Sequence, residues 1–181
     1  MEPDSNSIKV AELQRQATAY KRMGSLNKAI RLLKKSLKLI KKSSVGFDHY
    51  SFTKIIPYIQ YAGRYSKLEK FVKYKIIPVM EVNNKISFAH QNKQIQEAYY
   101  NLKLSQIYDK MRLAAQREGN LTDKERYSTL REETYNKYIV LLASGEESKS
   151  NEDIELFEDL FGPDRSTWPR GVKRLINLDD N

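Results

Sequence analysis

The stretch Ala19-Tyr20-Lys21-Arg22-Met23-Gly24-Ser25-Leu26-Asn27-Lys28-Ala29-Ile30 holds one helix end and one helix start, with a glycine between them. Glycine takes the left-handed backbone that commonly closes a helix. Upstream, the pattern predicts a helix from about Ile8 to Met23, capped by Asp4, Ser5 or Ser7. Downstream, Leu26, Ala29, Ile30, Leu33, Leu37 and Ile40 recur at three- and four-residue steps, which predicts a second helix to about Lys42 with one buried stripe. Its other face carries Lys28, Arg31, Lys34, Lys35, Lys38, Lys41 and Lys42. Two such helices joined by so short a turn form a hairpin.

The same grammar continues along the chain. Ser43 to His49 reads as a connector, and Gly63 then repeats the role of Gly24 at a spacing of 39 residues. Tyr58-Ile59-Gln60-Tyr61-Ala62-Gly63 echoes the first turn, with Leu68, Phe71, Val72 and Ile76 as the stripe of the helix that follows. Pro57 predicts a kink or a late start in the first of these helices, and Pro78 an end to the second. Asn83-Asn84 is a candidate cap for a long helix from about Ile86 to Glu118, apolar on two sides and therefore expected between neighbours. Thr122 and Glu125 form a capping box for the next helix. Ser144 to Asn151 has linker composition, and Asn151 to Phe161 reads as a short acidic helix stopped by Gly162-Pro163. Strand-type alternation is absent over any useful length, so the fold class is all-α. The expected division is residues 1–145 as the helical domain and 146–181 as linker, acidic amphipathic helix and tail.

From Ala11 to Lys42 the chain resembles a tetratricopeptide repeat, a helix-turn-helix unit that stacks into a solenoid. Tyr20, Gly24 and Leu33 stand at the family's aromatic, turn and large apolar positions, and Ala17, Ala29 and Ser36 at its small crossing positions. A degenerate second repeat covers about residues 50–78, where Leu68 replaces the small residue. The resemblance implies helical hairpins stacked as a short α-solenoid, with first helices lining a concave groove. That groove would draw on Gln14, Arg15, Thr18, Lys21, Arg22, Lys54, Gln60 and Tyr61. Gln14 and Thr18 occupy the places of the Lys and Asn that some members use to clamp a partner's terminal carboxylate, so that clamp is not matched. The family's function, holding a segment of another protein, becomes the expectation here.

Composition bounds the alternatives. The 181 residues contain no cysteine, which excludes disulfides and thiolate metal sites. The only histidines, His49 and His90, lack a partner at metal-ligand spacing, and phosphate loops and nucleophile motifs are absent. Neither catalysis, a cofactor nor a metal is expected. The polar, acidic start is unlike a leader peptide and no apolar run approaches a membrane span, so a cytoplasmic protein is expected.

Net charge is +9, but residues 1–45 carry +8 and residues 146–181 carry −5. The lysine face of the second helix has two readings: a solvated outer surface, or an electrostatic surface for nucleic acid or an acidic protein. Aromatic interleaving, which base stacking requires, is missing from that helix itself. Ile154, Phe157, Leu160 and Phe161 line one face of the acidic helix, which could cap the last hairpin, lie on the basic surface as a lid, or dock elsewhere. The expected function is a non-enzymatic adaptor or regulatory subunit that binds an acidic or extended segment of another protein. The alternative is a nucleic-acid-associated helical regulator using the basic N-terminal half.

Overall fold

The computed structural model describes residues 5–176, and all their regular structure is helical, with no strand. None of these helices is long and apolar enough to cross a membrane. Asp4, one of the expected caps, lies outside the described residues. Helices α1 (Ser5–Arg22) and α2 (Leu26–Ile40) form the expected hairpin. Gly24 sits at φ +72°; its N–H donates to the Lys21 carbonyl (3.0 Å), and the Ser25 N–H reaches back to Tyr20 (2.8 Å). The same double bond closes the helices before Gly63 and Gly119, from Arg64 to Ile59 and from Asn120 to Ala115. These paired bonds satisfy carbonyls that a helix end would otherwise leave open. Ala17, Ala29 and Ser36 are fully buried, which lets α1 and α2 approach closely.

The two prolines act differently. Pro57 has no N–H to offer the Thr53 carbonyl, and the helix breaks there into α3 (His49–Thr53) and α4 (Ile55–Tyr61). Pro78, expected to end its helix, does not. After a 3-10 turn at Tyr65–Lys67, the chain runs without a stop through α5 (Leu68–Phe71), a π-helical turn (Val72–Ile76) and α6 (Ile77–Ser87). The Ile77 N–H bonds to the Val72 carbonyl, one residue further back than in an α-helix. That wide turn places Pro78 at the start of a fresh α segment, where a missing N–H costs nothing.

The next break also differs from expectation. Asn83 and Asn84 are buried inside α6, and α7 (Lys93–Arg117) starts instead from Asn92, whose side chain accepts the Ile95 N–H (2.9 Å). Asn84 Nδ2 donates to the Gln96 carbonyl (2.8 Å), tying α6 to the start of α7. Likewise Asn120, not Thr122, caps α8 (Leu121–Phe161), accepting the Asp123 N–H at 3.0 Å.

The largest correction concerns the expected linker. Ser144 to Asn151 is helical, so the expected boundary at residue 145 falls inside a single 41-residue helix. Gly145 is buried because it is where α8 touches the start of α7. A Cβ there would lie 2.7 Å from Ile95 Cγ1 and 3.0 Å from its backbone nitrogen. Asn92 Nδ2 also donates to the Gly145 carbonyl (2.8 Å).

The core runs through the helix seams. Ile30, Leu33 and Leu37 of α2, Phe52, Ile55 and Ile56 of α3–α4, Leu68, Ile76 and Met80 of α5–α6, and Ile107 and Met111 of α7 are all buried. α2 packs on α4 and α6; α7 packs on α3, α4 and α6 and pairs with α8, so its two apolar sides are both covered. Beyond Phe161 the chain turns at Gly162 into a 3-10 turn (Arg165–Thr167) and α9 (Arg170–Leu175). Buried Trp168 meets Phe157 edge-on at 6.0 Å, and its Nε1 donates to the Gly162 carbonyl (2.8 Å).

Candidate functional site

A cleft of about 400 Å³ opens where α1, α3–α4 and α7 meet. Gln14 forms its α1 wall; Tyr50, Lys54 and Tyr58 line it from α3–α4, and Lys110 and Arg117 from α7. Gln14 Nε2 donates to the Ser51 carbonyl (2.8 Å), and the Gln14 carbonyl accepts from Thr18 Oγ1 (2.9 Å) and Lys54 Nζ (3.2 Å). This knot fixes α1 against α3. It also places Lys54 partly out of water, and burial lowers its pKa.

Cations sit on tyrosine faces around the cleft. Lys21 Nζ lies 4.7 Å from the Tyr61 ring centre and 5.2 Å from that of Tyr58; Arg117 is 5.6 Å from Tyr61, and Lys110 is 5.4 Å from Tyr50. Among the described residues, none of Lys21, Lys54, Lys110 and Arg117 is ion-paired to a carboxylate. The one acid on the cleft wall, Asp48, already caps α3 by accepting the Ser51 N–H and Oγ. His49 meets the Tyr50 ring at a tilt, with centres 4.0 Å apart; its pKa is lowered, first by burial and then by Lys110 and Lys103, against the opposing pull of Asp48. The arrangement is a positive, aromatic-edged cleft, suited to carboxylates and rings.

Of the residues expected to line a groove, Gln14 and Lys54 line this cleft, while Thr18, Lys21 and Tyr61 each touch a lining residue: Gln14, Tyr58 and Arg117 in turn. Arg15 and Arg22 are exposed and do not line it. Gln60 faces the other way: it is buried and donates to Glu118 Oε1 (2.7 Å), because it lies four residues after Ile56 on the inward face of α4. Tyr50, Tyr58, Lys110 and Arg117 were not legible as groove residues. Their signal was spacing, since Tyr50, Lys54, Tyr58 and Tyr61 follow each other at three or four residues, and Lys103, Lys110 and Arg117 at seven.

A second positive surface lies elsewhere. All seven expected bases of the second helix, Lys28, Arg31, Lys34, Lys35, Lys38, Lys41 and Lys42, are exposed. Between α2 and α5–α6, Lys34, Lys38 and Lys41 of this set border two adjoining hollows of about 350 and 830 Å³ that share Lys34, Phe71, Tyr74 and Lys75. Leu37, Pro78 and Val79 add an aliphatic floor, and Lys67 and Lys70 extend the cationic rim. Lys34 Nζ is 5.4 Å from the Phe71 ring centre. The aromatic rings missing from α2 are thus supplied by its neighbour.

In the acidic segment, Ile154 and Phe157 are half-buried, whereas Leu160 and Phe161 are exposed. No protein-family model, curated protein or solved structure matches the chain.

Proposed function

We propose that the chain is a non-enzymatic adaptor or regulatory subunit, a short tetratricopeptide-like solenoid whose cleft holds an acidic, aromatic-bearing segment of another protein. The observation that carries this reading is four cations, Lys21, Lys54, Lys110 and Arg117, set among tyrosines without a carboxylate paired to them among the described residues. Three hairpin turns closed by the same bonding pattern support the solenoid. So does the bordering of one cleft by α1, α3–α4 and α7. An extended peptide crossing the cleft would exchange solvated carboxylates for these cations, with ring contacts adding anchorage.

Panning a displayed random-peptide library on the full chain tests the reading. Recovered peptides should be acidic and carry an aromatic residue, and Lys54→Glu with Lys110→Glu should weaken the best of them by about tenfold or more. Peptides without acids, or binding untouched by the double reversal, would overturn it. Random oligonucleotides retained by the same cleft, with affinity falling steeply as salt rises, would favour the nucleic-acid alternative instead.

A further inference from the structure

The end of α8 and the groove between α2 and α5–α6 are complementary surfaces on one chain. The last polar contacts of α8 with the body are Ser144 to Gln94 and Gly145 to Asn92. α7 begins at Lys93, so the 16 residues of α8 from Glu146 to Phe161 run about 24 Å beyond it. No hydrogen bond, ion pair or ring contact joins residues 146–161 to the rest of the body among the described residues; past the helix end, their polar and ring contacts are to Gly162, Arg165 and Trp168. This arm carries Glu146, Glu147, Glu152, Asp153, Glu155, Glu158 and Asp159 against a single Lys149. Along one side of it Leu156 is 53% exposed, Leu160 64% and Phe161 43%.

The groove offers the opposite pattern: a lysine rim over Leu37, Phe71, Pro78 and Val79, with Tyr74 56% exposed beside it. Because α8 is unbroken through residue 145, the arm leaves the body and cannot reach its own groove without melting a packed helix. We infer that the acidic arm of one copy docks in the basic groove of a second copy of this chain. Leu156, Leu160 and Phe161 meet the apolar floor, and the carboxylates meet Lys34, Lys38 and Lys75. A nucleic-acid strand fits the groove less well. Stacking needs successive exposed rings, and Phe71 is half-buried, leaving Tyr74 alone. The contact is head-to-tail, so an open assembly keeps one arm and one groove free and must either grow or close into a ring.

Sedimentation of the full chain over a range of concentrations tests this, apart from any reading of the α1–α3–α7 cleft. The mass should rise above that of the monomer with concentration. Two variants at exposed positions, checked for unchanged helicity, separate the halves: Leu160→Asp with Phe161→Asp on the arm, and Tyr74→Glu with Lys75→Glu in the groove. Each alone should be monomeric, with association weakened about tenfold or more. Mixed in equal amounts they should form a dimer and stop there, because one retains only a groove and the other only an arm. A wild-type chain that stays monomeric overturns the inference, as do assemblies that survive either variant or a mixture that remains monomeric. Single-stranded oligonucleotides retained through Tyr74 and Lys75 by a monomeric chain would reassign the groove to nucleic acid.

Discussion

Lys103 is a lysine in the wrong solvent. It is only 8% exposed, and Nζ donates to Asn83 Oδ1 (3.1 Å) and lies 5.2 Å from the Phe88 ring centre, with no carboxylate paired to it among the described residues. Burial lowers its pKa to about 8. Between that value and the ordinary 10.5, the unfolded chain holds a proton that the folded chain has released. Stability therefore rises with pH across this window, by on the order of 2–3 kcal/mol. Tyr127 opposes the trend at higher pH: burial pushes its pKa up to about 12, so above pH ~10 the folded chain keeps a proton that the unfolded chain loses. Tyr65, Tyr100 and Tyr108 are raised in the same direction, with burial the first cause in each. Urea midpoints should thus climb from neutral pH to a maximum near pH 10 and then fall. Lys103→Met should raise the midpoint at pH 7 and flatten the climb. A wild-type midpoint constant over that range would show that Lys103 is solvated.

At the scale of elements, Gly145 governs the longest contact in the molecule. Alanine is favoured over glycine inside a helix by up to ~1 kcal/mol, so a linker or an exposed helical surface would gain from the exchange. Here the added carbon meets both the Ile95 side chain and its backbone nitrogen, and the backbone cannot yield as a flexible side chain would. Gly145→Val should destabilise the chain by about 1–3 kcal/mol through overpacking, read as a lowered denaturation midpoint. An unchanged or raised midpoint would mean that α8 does not lie against α7 at this point. Near its start, α8 is tied by polar contacts to the 3-10 turn at Tyr65–Lys67 and to α5. Tyr65 OH donates to Asp123 Oδ2 (2.7 Å), and Arg126 bonds Glu69 through two nitrogens at 2.9 and 3.1 Å. Helix α8 is therefore pinned to α7 by close packing at residue 145, and to the 3-10 turn and α5 by polar bonds near residue 123.

For the whole molecule, the arm beyond Gly145 divides the body from an appendage without any break in the helix. The buried core contains residues from α1 to the first turns of α8, ending at Tyr127, with Leu130 packed on it, and none from residues 146–176. Phe157 and Trp168 instead make a small apolar contact of their own. A chain ending at Ser150 should keep the wild-type unfolding midpoint to within about 0.5 kcal/mol, since exposed positions contribute little. It should also lose the concentration-dependent mass. Aggregation of the shortened chain would instead mark residues 151–161 as a cover over an apolar end.

Local chemistry by itself determined the helical class, the α1–α2 hairpin and the glycine closures, because apolar periodicity, a small residue at a crossing and a left-handed glycine all act within a few residues. It also made the exposed lysine face of α2 legible, since a charged face is the complement of a buried stripe. Only the tertiary structure decided the rest. Pro78 stays within a helix because a π-helical turn absorbs it. Gly145 and its serine-rich surroundings have the composition of a hinge, yet they are helix; at Ser144 and Gly145 contact with α7 favours that state, a contact that local composition does not reveal. The cleft drew together Tyr50, Tyr58, Lys110 and Arg117, which lie up to 67 residues apart in the chain, and turned Gln60 away. Sequence spacing places a side chain on a face of its own helix; which other face it meets depends on how the helices stack.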